Sequence, residues 1–120
     1  GPFDFAILES GQYNLWWRYV HMLPEEVVQS AKDLRAKEFM PVHWGMFNLS
    51  IHDWFEPISR VFDLATKNNL KIRTPILGEL LGFGNDPQKG ADQHPKWWET
   101  HPDYIKRMAE EPKPERPSRR

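Results

Sequence analysis

The sequence contains no cysteine, so any metal must be held by His, Asp or Glu. Among these residues, histidine is also the one suited to proton transfer near neutral pH. His43, in the stretch MPVHWG, stands where an apolar run ends and Gly45 follows. A rigid strand can aim an imidazole at a metal from such a place, although a hydrogen-bonded, half-buried histidine can occupy it too. His21, in HMLPEE, is a candidate for proton transfer or for packing among its aromatic neighbours.

The remaining histidines have simpler interpretations. His52 and Asp53 are adjacent on a predicted loop and are expected to be solvated surface groups, and His94 and His101 are expected to lie on the surface of a C-terminal tail. None of the histidines forms a His-x-His pair. The residue types and their spacing alone therefore leave both interpretations of His43 and both interpretations of His21 open.

Composition excludes several classes of function. The chain has 120 residues, enough for one domain, and its 16 basic and 17 acidic residues give a net charge of −1. This balance gives no electrostatic reason to expect a nucleic-acid partner. No apolar run approaches the roughly 20 residues of a transmembrane helix, and the first residues lack the basic region of a signal peptide. A cytoplasmic location is the resulting expectation.

Apolar periodicity and the Pro, Gly and Asn signals predict alternating strands and helices. The predicted elements are a strand at residues 3–9, a helix from Pro24 to about Ala36, a strand at 38–44, a helix from Pro57 to Asn68, and a strand at 70–77. The order β-α-β-α-β predicts an α/β fold with the first two strands parallel. A sheet this small is expected to be part of a larger one.

Three segments are expected along the chain. Residues 1–82 form the α/β part, 83–109 form an irregular or short helical extension, and the proline-rich residues 110–120 are expected to be disordered. Trp97 and Trp98 are expected to pack the extension back onto the domain. The aromatic residues after the first strand are interpreted either as the wall of a hydrophobic substrate entrance or as a cover over the sheet: Tyr13, Trp16, Trp17 and Tyr19.

Several ordered blocks within residues 1–81 carry a family resemblance. They are GPFDFAILESGQYN, HMLPEEVVQSAKDLRAK, MPVHWGMFNLS, EPISRV and LGE. Together they resemble the C-terminal half of a metallo-β-lactamase-fold hydrolase, in the branch that includes N-acyl-phosphatidylethanolamine phospholipase D. The resemblance implies an αββα sandwich with two zinc ions and a metal-bound hydroxide that attacks a phosphodiester or ester-like bond.

The resemblance also assigns roles to single residues. It implies that His43 is the last metal ligand and that His21 assists substrate or leaving-group chemistry, with both facing one cavity. The H-x-H-x-D-H motif of the family is absent from this chain. The expected partner is therefore the missing N-terminal half of the domain, and the chain alone is expected to be inactive and to bind zinc weakly or not at all.

Departures from the family pattern keep alternatives open. Leu23 stands where Asn or Asp is common, Met46 where Thr is common, and Glu9-Ser10-Gly11 where Pro-Ile-Gly is common. The substrate is therefore either lipid-like or another small molecule. A same-fold lactonase or amide hydrolase, a non-catalytic interaction fragment, and a stand-alone small α/β binding domain are the alternatives, and a homo-oligomer is left open.

Overall fold

The computed structural model describes residues 1–45, 47–82 and 95–111. Their elements are β1 (Phe5–Glu9), a 3₁₀ helix (Leu15–Trp17), α1 (Pro24–Asp33), β2 (Glu38–Val42), α2 (Glu56–Lys67), a second 3₁₀ helix (Trp97–Thr100) and α3 (Pro102–Glu110). The chain is thus α/β, as predicted. Of the segment 110–120 that is predicted to be disordered, residues 112–120 lie outside the described residues, as do His94 and Met46.

The two strands form a parallel pair, with Phe5 opposite Glu38 and Glu9 opposite Val42. This pairing confirms the predicted parallel arrangement, and α1 lies between the two strands in sequence, as a parallel connection requires. Successive side chains of β1 point to opposite faces of the sheet. Leu8 is buried against the helices, whereas Ile7 on the other face is 62% exposed.

The predicted third strand at 70–77 is wrong as a strand. Only Ile72 forms a bridge, parallel to Phe39, among the residues that the structure describes there. The Phe39 N–H donates to the Lys71 carbonyl, and the Arg73 N–H donates to the Phe39 carbonyl. Pro75 has no N–H to donate, so the ladder cannot continue past this point. The described elements are therefore β-α-β-α followed by α3, which is fewer than the αββα sandwich of the resemblance requires.

Helix α1 begins where the sequence predicts and ends earlier. Pro24 occupies the first turn, and the Glu26 carboxylate accepts a hydrogen bond of 2.7 Å from the Leu23 N–H. This bond partly replaces the side-chain cap that leucine cannot supply. The helix ends at Asp33 rather than near Ala36, because Arg35 adopts a left-handed conformation with φ of 50°.

One apolar core joins the sheet to both long helices. Helices α1 and α2 pack against the covered face of the sheet with the buried residues Ala6, Leu8, Val27, Val28, Ala31, Phe39, Val61 and Ala65. The helical residues among them recur three or four apart, as one helix face requires. The core therefore fixes β1 and β2 as a rigid base for the loops that follow them.

A second apolar group, the tryptophan cluster, consists of Trp44, Trp54, Trp97 and Trp98. Trp98 is fully buried, and its indole N–H donates to the Ser59 hydroxyl over 2.9 Å. The Trp97 ring stacks on Trp44 with centroids 5.5 Å apart. The C-terminal extension is thus packed onto the α/β part, as predicted for Trp97 and Trp98.

Every helix within the described residues is too short or too polar to cross a lipid bilayer.

Candidate active site

His21 and His43 lie side by side although 21 residues separate them in the sequence. Their ring centroids are 5.2 Å apart and their planes differ by 22°. His43 directly follows β2, whereas His21 ends the loop that leaves β1 and leads to α1. His43 is exposed, and the His21 side chain retains 19% of its accessible surface. The structure therefore brings together the two residues that the sequence predicts for the site.

Glu9, the last residue of β1, completes this group. Its Oε1 lies 3.0 Å from His21 Nδ1 and accepts a hydrogen bond from the Gly11 N–H over 3.1 Å. Its Oε2 accepts from the Met22 N–H over 2.9 Å. The sequence pointed to Glu9 as a departure from a family pattern that puts a polar group near the site, and it predicted no contact between Glu9 and His21. A carboxylate at the end of a predicted strand was the available signal.

The backbone around His43 is unusual. His43 has a φ of 74° and Gly45 a φ of 86°, so the chain turns sharply after β2. A non-glycine residue in this region costs of order 1–3 kcal/mol, and such strain is often found at functional sites. Gly11 has to be glycine, because a Cβ there would collide with the carbonyl oxygen of His43. The loops that carry Glu9 and His43 are therefore in direct contact.

Gln12 is a structural clamp beside the site. It is 5% exposed, and its Oε1 accepts hydrogen bonds from the N–H groups of Leu49 and Ser50 over 2.8 and 3.1 Å. Its Nε2 donates to the Phe47 carbonyl over 2.6 Å. This side chain uses its polar atoms to hold the loop after His43 against the loop after β1.

The aromatic loop, residues 13–20, has one buried end and one exposed end. Tyr13 is buried and donates a hydrogen bond of 2.8 Å to Glu56. Burial, with the Glu56 hydrogen bond adding to it, raises the pKa of the Tyr13 hydroxyl. Trp16 and Tyr19 are 93% and 100% exposed, so they do not cover the sheet within the described residues.

A cavity of about 310 Å³ opens at the buried end of the aromatic loop. Its lining residues are Tyr13, Asn14, Leu15, Leu23, Ile51, His52 and Glu56. His21 and His43 are not among them, so this cavity is not one that the two histidines face together.

His52 is not the solvated surface residue that the sequence predicts. It is 7% exposed, and its ring packs on Tyr13 with centroids 4.6 Å apart. Its Nδ1 lies 2.9 Å from the Asp53 carbonyl, to which it donates. Contact with the Tyr13 ring from a distant loop explains the burial, and no local pattern indicates it. His101 is exposed and accepts a hydrogen bond from the Asp103 N–H at the start of α3.

The donor atoms of the site suit a divalent metal. Among the described residues, Glu9, His21 and His43 are the one group whose ligand-type atoms all lie within 4.8 Å of one another. Imidazole nitrogen and carboxylate oxygen are zinc ligands. Glu9 already accepts hydrogen bonds on both oxygens, and one of them faces His21 Nδ1. The exposed imidazole of His43 is thus best suited to take a metal.

Comparisons with known proteins find relatives that match part of the chain. An uncharacterized protein of Mycobacterium tuberculosis is 37% identical over 101 residues, which are 82% of this chain and 26% of that protein. The mitochondrial N-acyl-phosphatidylethanolamine-hydrolyzing phospholipase D of Saccharomyces cerevisiae is 38% identical over 82 residues, 65% of this chain and 18% of that protein. N-acyl-phosphatidylethanolamine-hydrolyzing phospholipase D 1 of Caenorhabditis elegans is 31% identical over 87 residues, 67% of this chain and 24% of that protein.

No family model matches the chain. The chain spans only 18–26% of the length of these three relatives. The similarity is therefore to a part of each relative, and two of the three are named as hydrolases.

Proposed function

We propose that this chain is the C-terminal part of a metal-dependent hydrolase with the metallo-β-lactamase fold, which cleaves a phosphodiester or another ester-like bond. The contact between His21, which lies between β1 and α1, and His43, which directly follows β2, carries this proposal. Their ring centroids are 5.2 Å apart. The partial similarity to two phospholipases supports the reaction class. The β-α-β-α order and the exposed second face of the sheet agree with one part of a larger sandwich.

His43 is the residue of this chain that would hold the metal. Its imidazole is exposed, and the sharp turn after β2 together with the contact of Gly11 fixes its backbone. When bound, a pair of zinc ions would supply Lewis-acid polarisation and a nucleophile at neutral pH. The other ligands would come from the N-terminal half of the domain.

His21 is the residue proposed to move a proton. Its ring lies against His43 and is held by Glu9, so an ester oxygen near the metal would also be near this imidazole. An imidazole can take up and return a proton at neutral pH, and such a group typically contributes about 10²–10⁴-fold to a rate.

A lipid-like substrate is favoured over a small polar one. Both named hydrolases act on N-acyl-phosphatidylethanolamine, and Trp16 and Tyr19 expose aromatic surface on the loop that leads to His21. The complete protein should turn over a phospholipid in mixed micelles faster than a short-chain phosphodiester of the same headgroup. Equal rates on the two substrates would argue against the lipid-like class and leave the hydrolase proposal intact.

Metal content and turnover of the complete protein test the two histidine roles together. His43→Ala should lower bound zinc and turnover in parallel. His21→Ala should keep the zinc and lower turnover by about 10²–10⁴-fold. His101→Ala, a change at the exposed histidine that precedes α3, is the matched control and should keep both. Full metal and full rate in His43→Ala would refute the family assignment, and unchanged turnover in His21→Ala would make His21 a packing residue.

Zinc binding by the 120-residue chain alone tests whether this is a fragment of the site. We expect weak binding, because His43 is the single family ligand present and zinc sites use three or four protein ligands. Calorimetric titration with zinc measures this directly. A stoichiometric, submicromolar site that His43→Ala abolishes would show that this chain supplies the remaining ligands, and the fragment proposal would fail.

A further inference from the structure

The carboxylate of Glu9 is surrounded by three nitrogen atoms. The Gly11 N–H donates to Oε1 over 3.1 Å and the Met22 N–H donates to Oε2 over 2.9 Å. His21 Nδ1 is the third nitrogen, 3.0 Å from Oε1. The two backbone groups can only donate, so each oxygen of Glu9 is used as an acceptor.

This arrangement decides which nitrogen of His21 carries the proton. A neutral imidazole holds one proton, on Nδ1 or on Nε2, and the hydrogen bond that one nitrogen makes selects the tautomer. Opposite an acceptor-only carboxylate, Nδ1 has to donate. Nε2 is then the nitrogen left to exchange a proton with a substrate.

Glu9 also fixes the backbone that carries the histidine. The Met22 amide belongs to the residue directly after His21, so one carboxylate holds both the ring and the adjacent peptide. Glu9 itself is well anchored, because it ends β1 in register with Val42 of β2 and the next residue, Ser10, donates to the Val42 carbonyl over 2.8 Å.

We propose that Glu9 is a positioning residue that holds His21 as its Nδ1–H tautomer and leaves Nε2 for proton transfer. The role of Nε2 rests on the proposed function, whereas the tautomer and its dependence on Glu9 do not. Removal of an outer partner of a functional histidine typically costs about 10–100-fold in activity.

Nitrogen-15 NMR of the 120-residue chain, labelled in histidine, tests the tautomer without any substrate. At a pH where the ring is neutral, the protonated and unprotonated nitrogens give well-separated resonances. We expect His21 to carry its proton on Nδ1. Glu9→Met, which removes every acceptor, should shift the population toward Nε2–H, and Glu9→Gln, which keeps one oxygen, should be intermediate.

Glu25→Met is the matched control. Glu25 is an exposed glutamate that pairs with Arg60 over 2.6 Å, so its loss should leave the His21 tautomer unchanged. In the complete protein, Glu9→Met should lower kcat by about 10–100-fold while KM and bound metal stay near their original values. The wild-type spectrum needs no variant, so the proposal remains testable even if Glu9→Met does not fold.

The outcomes separate this proposal from the proposed function. A wild-type His21 that carries its proton on Nε2, or a tautomer that does not respond to Glu9→Met, overturns the positioning role. Stoichiometric zinc that removes the Nδ1 proton of His21 also overturns it, because Glu9 and His21 would then be metal ligands. The expected tautomer combined with unchanged turnover in His21→Ala supports the positioning role and refutes proton transfer by His21.

Discussion

The aromatic loop and the tryptophan cluster are built from the same kinds of side chain, and the two groups include the most exposed and the most buried aromatic residues of the described chain. Trp16 and Tyr19 of the aromatic loop are 93% and 100% exposed, whereas Trp98 of the cluster has no exposed surface. The cluster forms within this chain, because residues 95–111 bring Trp97 and Trp98 into contact with Trp44. The loop has no such cover among the described residues.

The difference shows that burial of an aromatic residue depends on a partner surface that supplies both shape and polar atoms. Trp98 fills a space beside α2 and finds an acceptor for its indole N–H in Ser59. Asn14 caps the turn of the aromatic loop by accepting from the N–H groups of Trp16 and Trp17, which orders the backbone without covering the rings. Order and burial are therefore separate properties of this loop.

The same comparison bears on the site. Trp44 follows His43 directly, contacts the rings of Trp97 and Trp98, and donates its indole N–H to the Pro41 carbonyl over 3.0 Å. The C-terminal extension thus stabilises the turn that carries the proposed metal ligand. The aromatic loop leads to His21, and within the described residues Trp16 and Tyr19 stay exposed.

The largest expected effect is a difference in stability between two identical substitutions. Trp98→Ala should lower the free energy of unfolding by about 3–5 kcal/mol, because it empties a fully buried site. Trp16→Ala should change it by less than about 0.5 kcal/mol, because the side chain is exposed. Urea unfolding of the two variants measures both. Similar losses of unfolding free energy in the two variants would mean that Trp16 is packed in solution. The proposed difference between the aromatic loop and the tryptophan cluster would then be wrong.

A smaller effect is expected from the polar partner of the cluster. Ser59→Ala leaves the buried indole N–H of Trp98 without its acceptor, which should cost about 1–3 kcal/mol. Thr66→Ala, on an exposed position of the same helix, should stay within about 0.5 kcal/mol of the original protein. If Ser59→Ala were as stable as Thr66→Ala, the Ser59 acceptor would contribute nothing to stability. The indole N–H of Trp98 would then have another acceptor in the variant, and the stability of the cluster would come from apolar packing.

Local sequence patterns were sufficient for much of the fold. The prolines at the helix starts and the apolar spacing of α1 and α2 placed both helices to within a few residues. The parallel pairing of the strands followed from the helix between them. The third strand failed because Pro75 removes a ladder donor, a warning that the sequence already contained.

Long-range contacts account for what the sequence left out of the site. The pairing of His21 with His43 follows from the topology, since both residues lie beyond the ends of neighbouring strands. The hydrogen bond from His21 to Glu9 and the burial of His52 under Tyr13 depend on side-chain placement across distant loops. No periodicity records such contacts, so the sequence did not predict the hydrogen bond of Glu9 and wrongly predicted a solvated surface position for His52.

The smallest expected effect concerns the two tyrosines at opposite ends of the aromatic loop and depends on pH. Burial raises the pKa of Tyr13 in the folded state, and the hydrogen bond to Glu56 raises it further. An unfolded tyrosine ionises near pH 10, so above about pH 10 the unfolded state binds fewer protons than the folded state. The contribution of Tyr13 to the free energy of unfolding should therefore be constant below about pH 9 and fall as the pH rises through 10 and beyond.

Two tyrosine variants isolate this contribution from the other groups that titrate at high pH. Tyr13→Phe should cost about 0.5–1.5 kcal/mol at neutral pH, through the lost hydrogen bond to Glu56, and should lose stability less steeply above about pH 10 than the original protein. Tyr19→Phe, at a fully exposed position, should keep the original stability and the original slope. Urea unfolding at a series of pH values from neutral to alkaline gives both slopes. Identical slopes in all three proteins would show that the Tyr13 hydroxyl is as solvated as that of Tyr19, and the buried end of the aromatic loop would then be open as well.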